Sequence, residues 1–171
     1  MEVLLVVLAG RRYALPSARV EEVVPRTRLV PIDGAAAWVA GLMDYRGALI
    51  PVIDGARLIH DESSPSLLGS RIVVLDVLIQ RGAESSVVTR FGLLCDLVTE
   101  RTKIDLDDGA WRSGSLDDRP SIIGAIGRVG TRPMPLIDPL RIVGREPMLS
   151  LPAGHTTIDV PSLPPHAEPS S

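Results

Sequence analysis

Continuous apolar runs and period-two alternation dominate this chain, and amphipathic helical stripes are scarce. Val3 to Leu8 is apolar without interruption, the pattern of a strand buried on both faces. Tyr13 to Leu15 begins a second strand. Val20, Val23 and Val24 sit at helical spacing, but Phe91, Leu93, Cys95 and Leu97 alternate with period two. These two stretches prove to be copies of one another, so both read mainly as strand. Asp33 is placed to cap a short helix over residues 35 to 40, where alanine favours helix, with Gly41 ending it. Ala48 to Ile53 is a strand, and Asp54 caps a helical turn through Leu58. His60 to Ser70 is a polar loop. Arg71 to Gln80 is a strong apolar strand, residues 81 to 85 a turn, and Ser86 to Val98 a strand or hairpin. Lys103 to Leu106 reads as a short strand and residues 109 to 119 as a polar connection. Asp138-Pro139 places a capping acid before a proline at the first helical position.

The chain states much of this pattern twice. Gly41 and Gly47 recur as Gly124 and Gly130 at a shift of 83, and Pro51, Asp54 and Arg57 recur as Pro135, Asp138 and Arg141 at 84, which implies a one-residue insertion. Tyr13-Ala14-Leu15 with Val20-Glu21-Glu22 echoes Phe91-Gly92-Leu93 with Val98-Thr99-Glu100 at 78. A period this long exceeds the roughly 20 to 50 residues of solenoid repeats and marks a duplicated subdomain. Short strands, glycine-rich turns and few helices give an all-β fold, and two copies point to two small barrels, a first over about residues 10–70 and a second over about 71–146, with the N-terminal strand assignable to either. Beyond residue 146, six prolines among serine and alanine (147–171) read as a disordered tail.

Composition narrows the function. Five aromatics in 171 residues leave an aliphatic core and little for base stacking. A net charge of −3 without a basic cluster disfavours nucleic acid. One cysteine, Cys95, precludes an internal disulfide and fits a reducing cytoplasm. No segment reaches the ~18 apolar residues of a membrane span, and Glu2 stands where a signal peptide carries a cation.

Catalytic chemistry is hard to place. His60, His155 and His166 are scattered, without zinc spacing, and read as exposed loop residues. Cys95 lies in an apolar alternation and reads as a small buried hydrophobe. Gly124 to Gly130 has the spacing GxxGxxG, and Pro133 and Pro135 forbid the helix a phosphate loop would open. The adjacent acids Glu21-Glu22, Asp107-Asp108 and Asp117-Asp118 should point to opposite faces of a strand and so form no acid–base couple. No cofactor or metal is called for. Arg46 stands out: it lies between Tyr45 and Gly47, at a turn where a helix hands over to a strand, and its copy is Val129. It is either structural, bonding loop carbonyls with its fork of donors, or functional.

The run Gly41-Leu42-Met43-Asp44-Tyr45-Arg46-Gly47-Ala48-Leu49-Ile50-Pro51-Val52-Ile53-Asp54, with Tyr13-Ala14-Leu15-Pro16 and Val20-Glu21-Glu22-Val23 before it, resembles the CheW family of chemosensory coupling proteins over about residues 2 to 145. The resemblance implies two SH3-like five-stranded barrels with a few short helices, around a shared apolar core. It implies a non-enzymatic adaptor between the cytoplasmic tips of chemoreceptors and the regulatory domain of the histidine kinase CheA, located in the cytoplasm and reaching the membrane only through its partners. Val20, Glu22, Gly41, Arg46 and Gly47 match positions tied to coupling, with Val74 on the next strand. The family's common Asn-Leu-Arg-Gly is Asp44-Tyr45-Arg46-Gly47 here. The alternatives are an inhibitory or scaffolding paralogue in a non-motility pathway and, in a different class, a small enzyme on the same scaffold.

Overall fold

In the computed structural model, residues 1–65, 67–80, 86–107 and 122–144 are described. The turn expected over 81–85, the connection over 109–119 and the proline-rich tail lie outside them. Among the described residues ten strands form: β1 (Glu2–Leu8), β2 (Arg11–Pro16), β3 (Val20–Pro25), β4 (Val39–Tyr45), β5 (Ala48–Asp54), β6 (Arg71–Gln80), β7 (Ser86–Cys95), β8 (Leu97–Lys103), β9 (Ile123–Val129) and β10 (Arg132–Ile137). Two short helices, α1 (Gly55–His60) and α2 (Pro139–Val143), follow β5 and β10. Asp54 accepts from the Arg57 amide at 3.1 Å and Asp138 from the Leu140 amide at 3.0 Å, the paired caps the sequence predicts.

The strands make two five-stranded sheets, ordered β8-β1-β2-β10-β9 and β3-β6-β7-β5-β4. Hairpin registers identify the equivalences. Val39 faces Ile53 and Tyr45 faces Ala48, while Ile123 faces Ile137 and Val129 faces Arg132, each pair offset by 84. No insertion is needed between the copies, and the spatial counterpart of Arg46 is therefore Gly130 rather than Val129. Across β1–β2 and β6–β7, Leu4 faces Leu15 as Val73 faces Leu93.

Replacing each strand by its mate turns one sheet order into the other. Yet neither sheet is one copy. The first sheet takes β1 and β2 from the first copy and β8 to β10 from the second; the other takes β3 to β5 from the first and β6 and β7 from the second. The division expected at residue 70 is thus replaced by an exchange. Barrel B is the continuous stretch from β3 to β7, and barrel A is assembled from the two flanks. The chain passes between them at a 3-10 turn, Ser17–Arg19, and at Asp96, whose amide donates to the Val7 carbonyl at 3.0 Å.

The joint between the barrels accounts for the uninterrupted apolar runs. Val3 and Leu5 face the interior of barrel A with Ala14, Ile104, Ala125, Met134 and Leu136. Leu4, Val6 and Leu8 face the other way, into a core shared between barrels with Tyr13, Leu15, Val73, Leu75, Val77, Phe91 and Leu93. Barrel B repeats the scheme with Met43, Ile50, Val52, Ile72, Val74 and Leu94 inside it. Strands β1 and β6 are buried on both faces because one face serves the barrel and the other the joint.

Each barrel closes by a backbone bridge from the chain beyond one edge strand to the other edge strand. In barrel B the Val30 amide donates to Leu42 O at 2.9 Å and the Leu42 amide to Val30 O at 2.7 Å; in barrel A, Asp105 and Arg128 exchange bonds of 2.9 and 2.8 Å. The closures require glycine. A Cβ on Gly41 (φ +142°) would lie 2.6 Å from Val30 O, and one on Gly127 2.7 Å from Asp105 O.

Several expectations fail for physical reasons. No helix forms over 35 to 40. Turns bond Ala35 to the Ile32 carbonyl and Val39 to that of Ala36, and the Trp38 carbonyl accepts from Asp54, so the segment is drawn into the sheet. Residues 86 to 98 split at Asp96 into β7 and the start of β8, and residues 103 to 106 contribute the Asp105 bridge in place of a strand.

Candidate protein-interaction site

The turn between β4 and β5 has two central residues, Arg46 (φ 52°) and Gly47 (φ 84°), both left-handed. This is the hairpin geometry whose twist matches the strands it joins, so Arg46 connects strand to strand, contrary to the expected helix-to-strand handover. Left-handed backbone at arginine is uncommon, and Asp44 Oδ1 supports the turn by accepting from the Gly47 amide at 2.9 Å.

The turn carries Arg46 toward the opposite edge strand. Its Nη1 lies 3.4 Å from Glu21 and its Nη2 3.1 Å from Glu22. Adjacent residues of a regular strand cannot both face one partner. Here a register shift between Val20 and Glu22 bulges β3, so the expectation that the two acids diverge is overturned. The Tyr45 hydroxyl donates to Glu22 Oε2 at 2.7 Å. Glu22 and Tyr45 stand on the two edge strands of barrel B, so this bond crosses its seam. Two guanidinium groups lie by the Tyr45 ring, Arg46 Cζ at 4.9 Å and Arg90 Cζ at 5.5 Å from its centroid. Arg90 is bound by both oxygens of Asp76, each at 2.6 Å.

The electrostatics follow from this packing. Burial raises the Tyr45 phenol above its ordinary value, the Glu22 carboxylate adds to the rise, and Arg46 opposes it. Arg90 is raised by its bond to Asp76. The site offers one exposed guanidinium, acids around it and a phenol that stays protonated at neutral pH.

The residues singled out from sequence separate here. Glu22, Arg46 and Gly47 come together at the seam. Val20 is half-buried on β3, opposite Leu75. Gly41 is buried and serves closure. Val74 is fully buried inside barrel B, so it offers no surface to a partner; a strand inside a closed barrel hides the side chain that sequence placed beside the site. Tyr45, Glu21, Asp76 and Arg90 were missed. Asp76 faces Arg90 across the β6–β7 ladder, a pairing visible only once register is known.

Elsewhere, Cys95 is buried and its thiol pushed well up by burial, as expected of a core residue. His60 departs from the exposed loop reading: its Nε2 lies 2.5 Å from the Tyr13 hydroxyl, tying α1 to β2. Among the described residues, no helix is long and apolar enough to cross a membrane.

Among the described residues, barrel A has no equivalent of the seam cluster. The counterparts of Glu22, Tyr45, Arg46, Asp76 and Arg90 are Glu100, Val129, Gly130, Val7 and Arg12. One acid and one arginine recur; the phenol, the turn arginine and the aspartate do not.

The model of the CheW-like domain matches residues 2–146. The chain belongs to the CheW-like family. Among curated proteins, Protein PilI of Pseudomonas aeruginosa is 31% identical over 71 residues, 42% of this CheW-like chain and 40% of that protein, so the match spans less than half of the relative. Among solved structures, the scaffolding protein TtCheW of Thermoanaerobacter tengcongensis superposes with a TM-score of 0.61 at 22% identity, over 80% of this chain and 82% of that one. That likeness is one of fold: two SH3-like subdomains of five strands, as expected from the sequence.

Proposed function

We propose that this CheW-like chain is a non-enzymatic adaptor that couples chemoreceptor cytoplasmic tips to the regulatory domain of the histidine kinase CheA, with Arg46 and Glu22 at the coupling surface and Val20 and Gly47 beside them. The observation that carries this reading is the asymmetry between the barrels. The helix caps Asp54 and Asp138 stay alike between the copies, whereas among the described residues only the seam of barrel B holds an exposed arginine against two glutamates and a tyrosine. Such a site suits recognition of a polypeptide surface, in which a few charged groups set register while apolar burial supplies affinity. On this reading the protein sits at receptor arrays through its partners, without inserting into the membrane itself.

The test is a reconstituted kinase assay with cognate CheA and receptor signalling fragments, comparing the wild type with Arg46→Glu. Wild-type stimulation of autophosphorylation, abolished by Arg46→Glu with circular dichroism unchanged, is the expected result. Equal stimulation by both forms removes Arg46 from the site. A wild type that binds neither partner sinks the adaptor reading. A second reading, a scaffold or inhibitor in a pathway with an output other than motility, is supported by the similarity to Protein PilI, and binding without stimulation would favour it.

A further inference from the structure

Arg46 is a long side chain on a two-residue turn, with 62% of its side-chain surface exposed. Ion pairs at that exposure are screened and individually weak, so Glu21 and Glu22 do not by themselves explain a fixed guanidinium. Tyr45 is the better anchor. Its residue is 6% exposed, its ring belongs to the barrel interior with Met43, Ile50 and Val52, and its body is therefore immobile. Its hydroxyl and Arg46 Nη2 donate to the same oxygen, Glu22 Oε2, at 2.7 and 3.1 Å. Arg46 Cζ lies within cation–π distance of the ring. Arg90, locked by Asp76, adds a second guanidinium at the same ring.

We infer that Tyr45 is the positioning residue of this surface: it holds the Arg46 guanidinium against Glu22 and joins it to the Arg90–Asp76 pair, so that one rigid unit spanning β3, β4, β6 and β7 faces the partner. The inference rests on the coupling reading only for what the unit recognises; that Arg46 is held by Tyr45 is a property of the free protein. The counterpart of Tyr45 in barrel A is Val129, beside Gly130, so nothing in the shared fold demands a tyrosine here.

The experiment uses the full chain as wild type, Tyr45→Phe and Tyr45→Leu. Rotation about the Arg46 Nε–Cζ bond is followed by nuclear magnetic resonance of the guanidinium, with Arg46→Lys assigning the signal. Slow rotation in the wild type, faster in Tyr45→Phe and fastest in Tyr45→Leu, is expected. Coupling to receptor and kinase should fall in the same order, by about two- to fivefold for loss of the ring contact, with Tyr45→Leu adding nothing once Arg46 is removed. Unchanged rotation in Tyr45→Leu, or in Tyr45→Phe should the leucine variant not fold, overturns the inference. A wild type that fails to couple removes the proposed function, while the rotation data still decide the role of Tyr45.

Discussion

The two barrels share one strand plan and differ at the seam. Both close with a bridge and a glycine against a carbonyl, and both contribute equivalent side chains to the shared core. At the seam, barrel B has Tyr45 and Arg46 where barrel A has Val129 and Gly130. In a duplicated fold, positions that agree between copies report what the barrel needs, and positions that disagree locate what one barrel was given to do. Packing in the shared core constrains both copies alike, while an exposed arginine contributes little to stability and is free to differ.

The comparison breaks most readily at the shared core. Phe91→Ala empties a fully buried site and should cost about 3–5 kcal/mol. Because each barrel borrows strands from the other copy, denaturation followed by fluorescence and by far-ultraviolet circular dichroism should show one transition for both barrels. Two separated transitions would mean that the exchange does not couple them.

Next come the closures. Gly41→Ala and Gly127→Ala both drive a Cβ into a backbone carbonyl, and each should cost about 1–3 kcal/mol. Gly41 should lose more, since its φ of +142° is strained for any side chain. A larger loss at Gly127 in chemical denaturation would show that barrel A depends more on its bridge.

Tyr45→Phe sharpens the seam itself. Losing the bond to Glu22 should cost about 1 kcal/mol at neutral pH. The Tyr45 phenol is raised above 10.0 in the folded protein, chiefly by burial. Its contribution is therefore complete below the unfolded value and lost as pH rises through the folded one. Stability should decline above about pH 10, and less so in Tyr45→Phe. Tyr13, also raised by burial, makes the same kind of contribution, so Tyr13→Phe serves as the comparison. An alkaline limb unchanged in Tyr45→Phe would remove Tyr45 from it.

The smallest effect is the most telling. Arg46→Ala should change stability by less than about 1 kcal/mol, since its ion pairs and its ring contact are exposed. A large loss in thermal unfolding would make Arg46 structural and erase the contrast between the barrels.

Much of the fold could be read from residue patterns. The apolar runs gave β1 and β6, the alternation gave β7, and Asp54 and Asp138-Pro139 gave the two caps. The failures cluster where nonlocal bonds override local preference. Alanines favoured a helix over 35 to 40, but the Trp38 carbonyl is claimed by Asp54. Adjacent glutamates should diverge, but a bulge turns both toward Arg46. At the site, Arg46, Gly47 and Glu22 were legible as motif residues. Asp76 and Arg90 were not, because nothing in their sequence neighbourhoods announces that they pair.

The sequence by itself determined the duplication, the strand-rich class, the aliphatic core and the family, because each depends on local pattern or on motif. Only the tertiary structure decided which strands share a barrel. Period and alternation specify that a strand is buried, not which neighbour buries it, and two copies with matching hydrogen-bond registers can pair within a copy or across copies. The fold pairs across, and that choice brings Asp76 on β6 and Arg90 on β7 into the barrel whose edge strands β3 and β4 carry Glu22 and Tyr45.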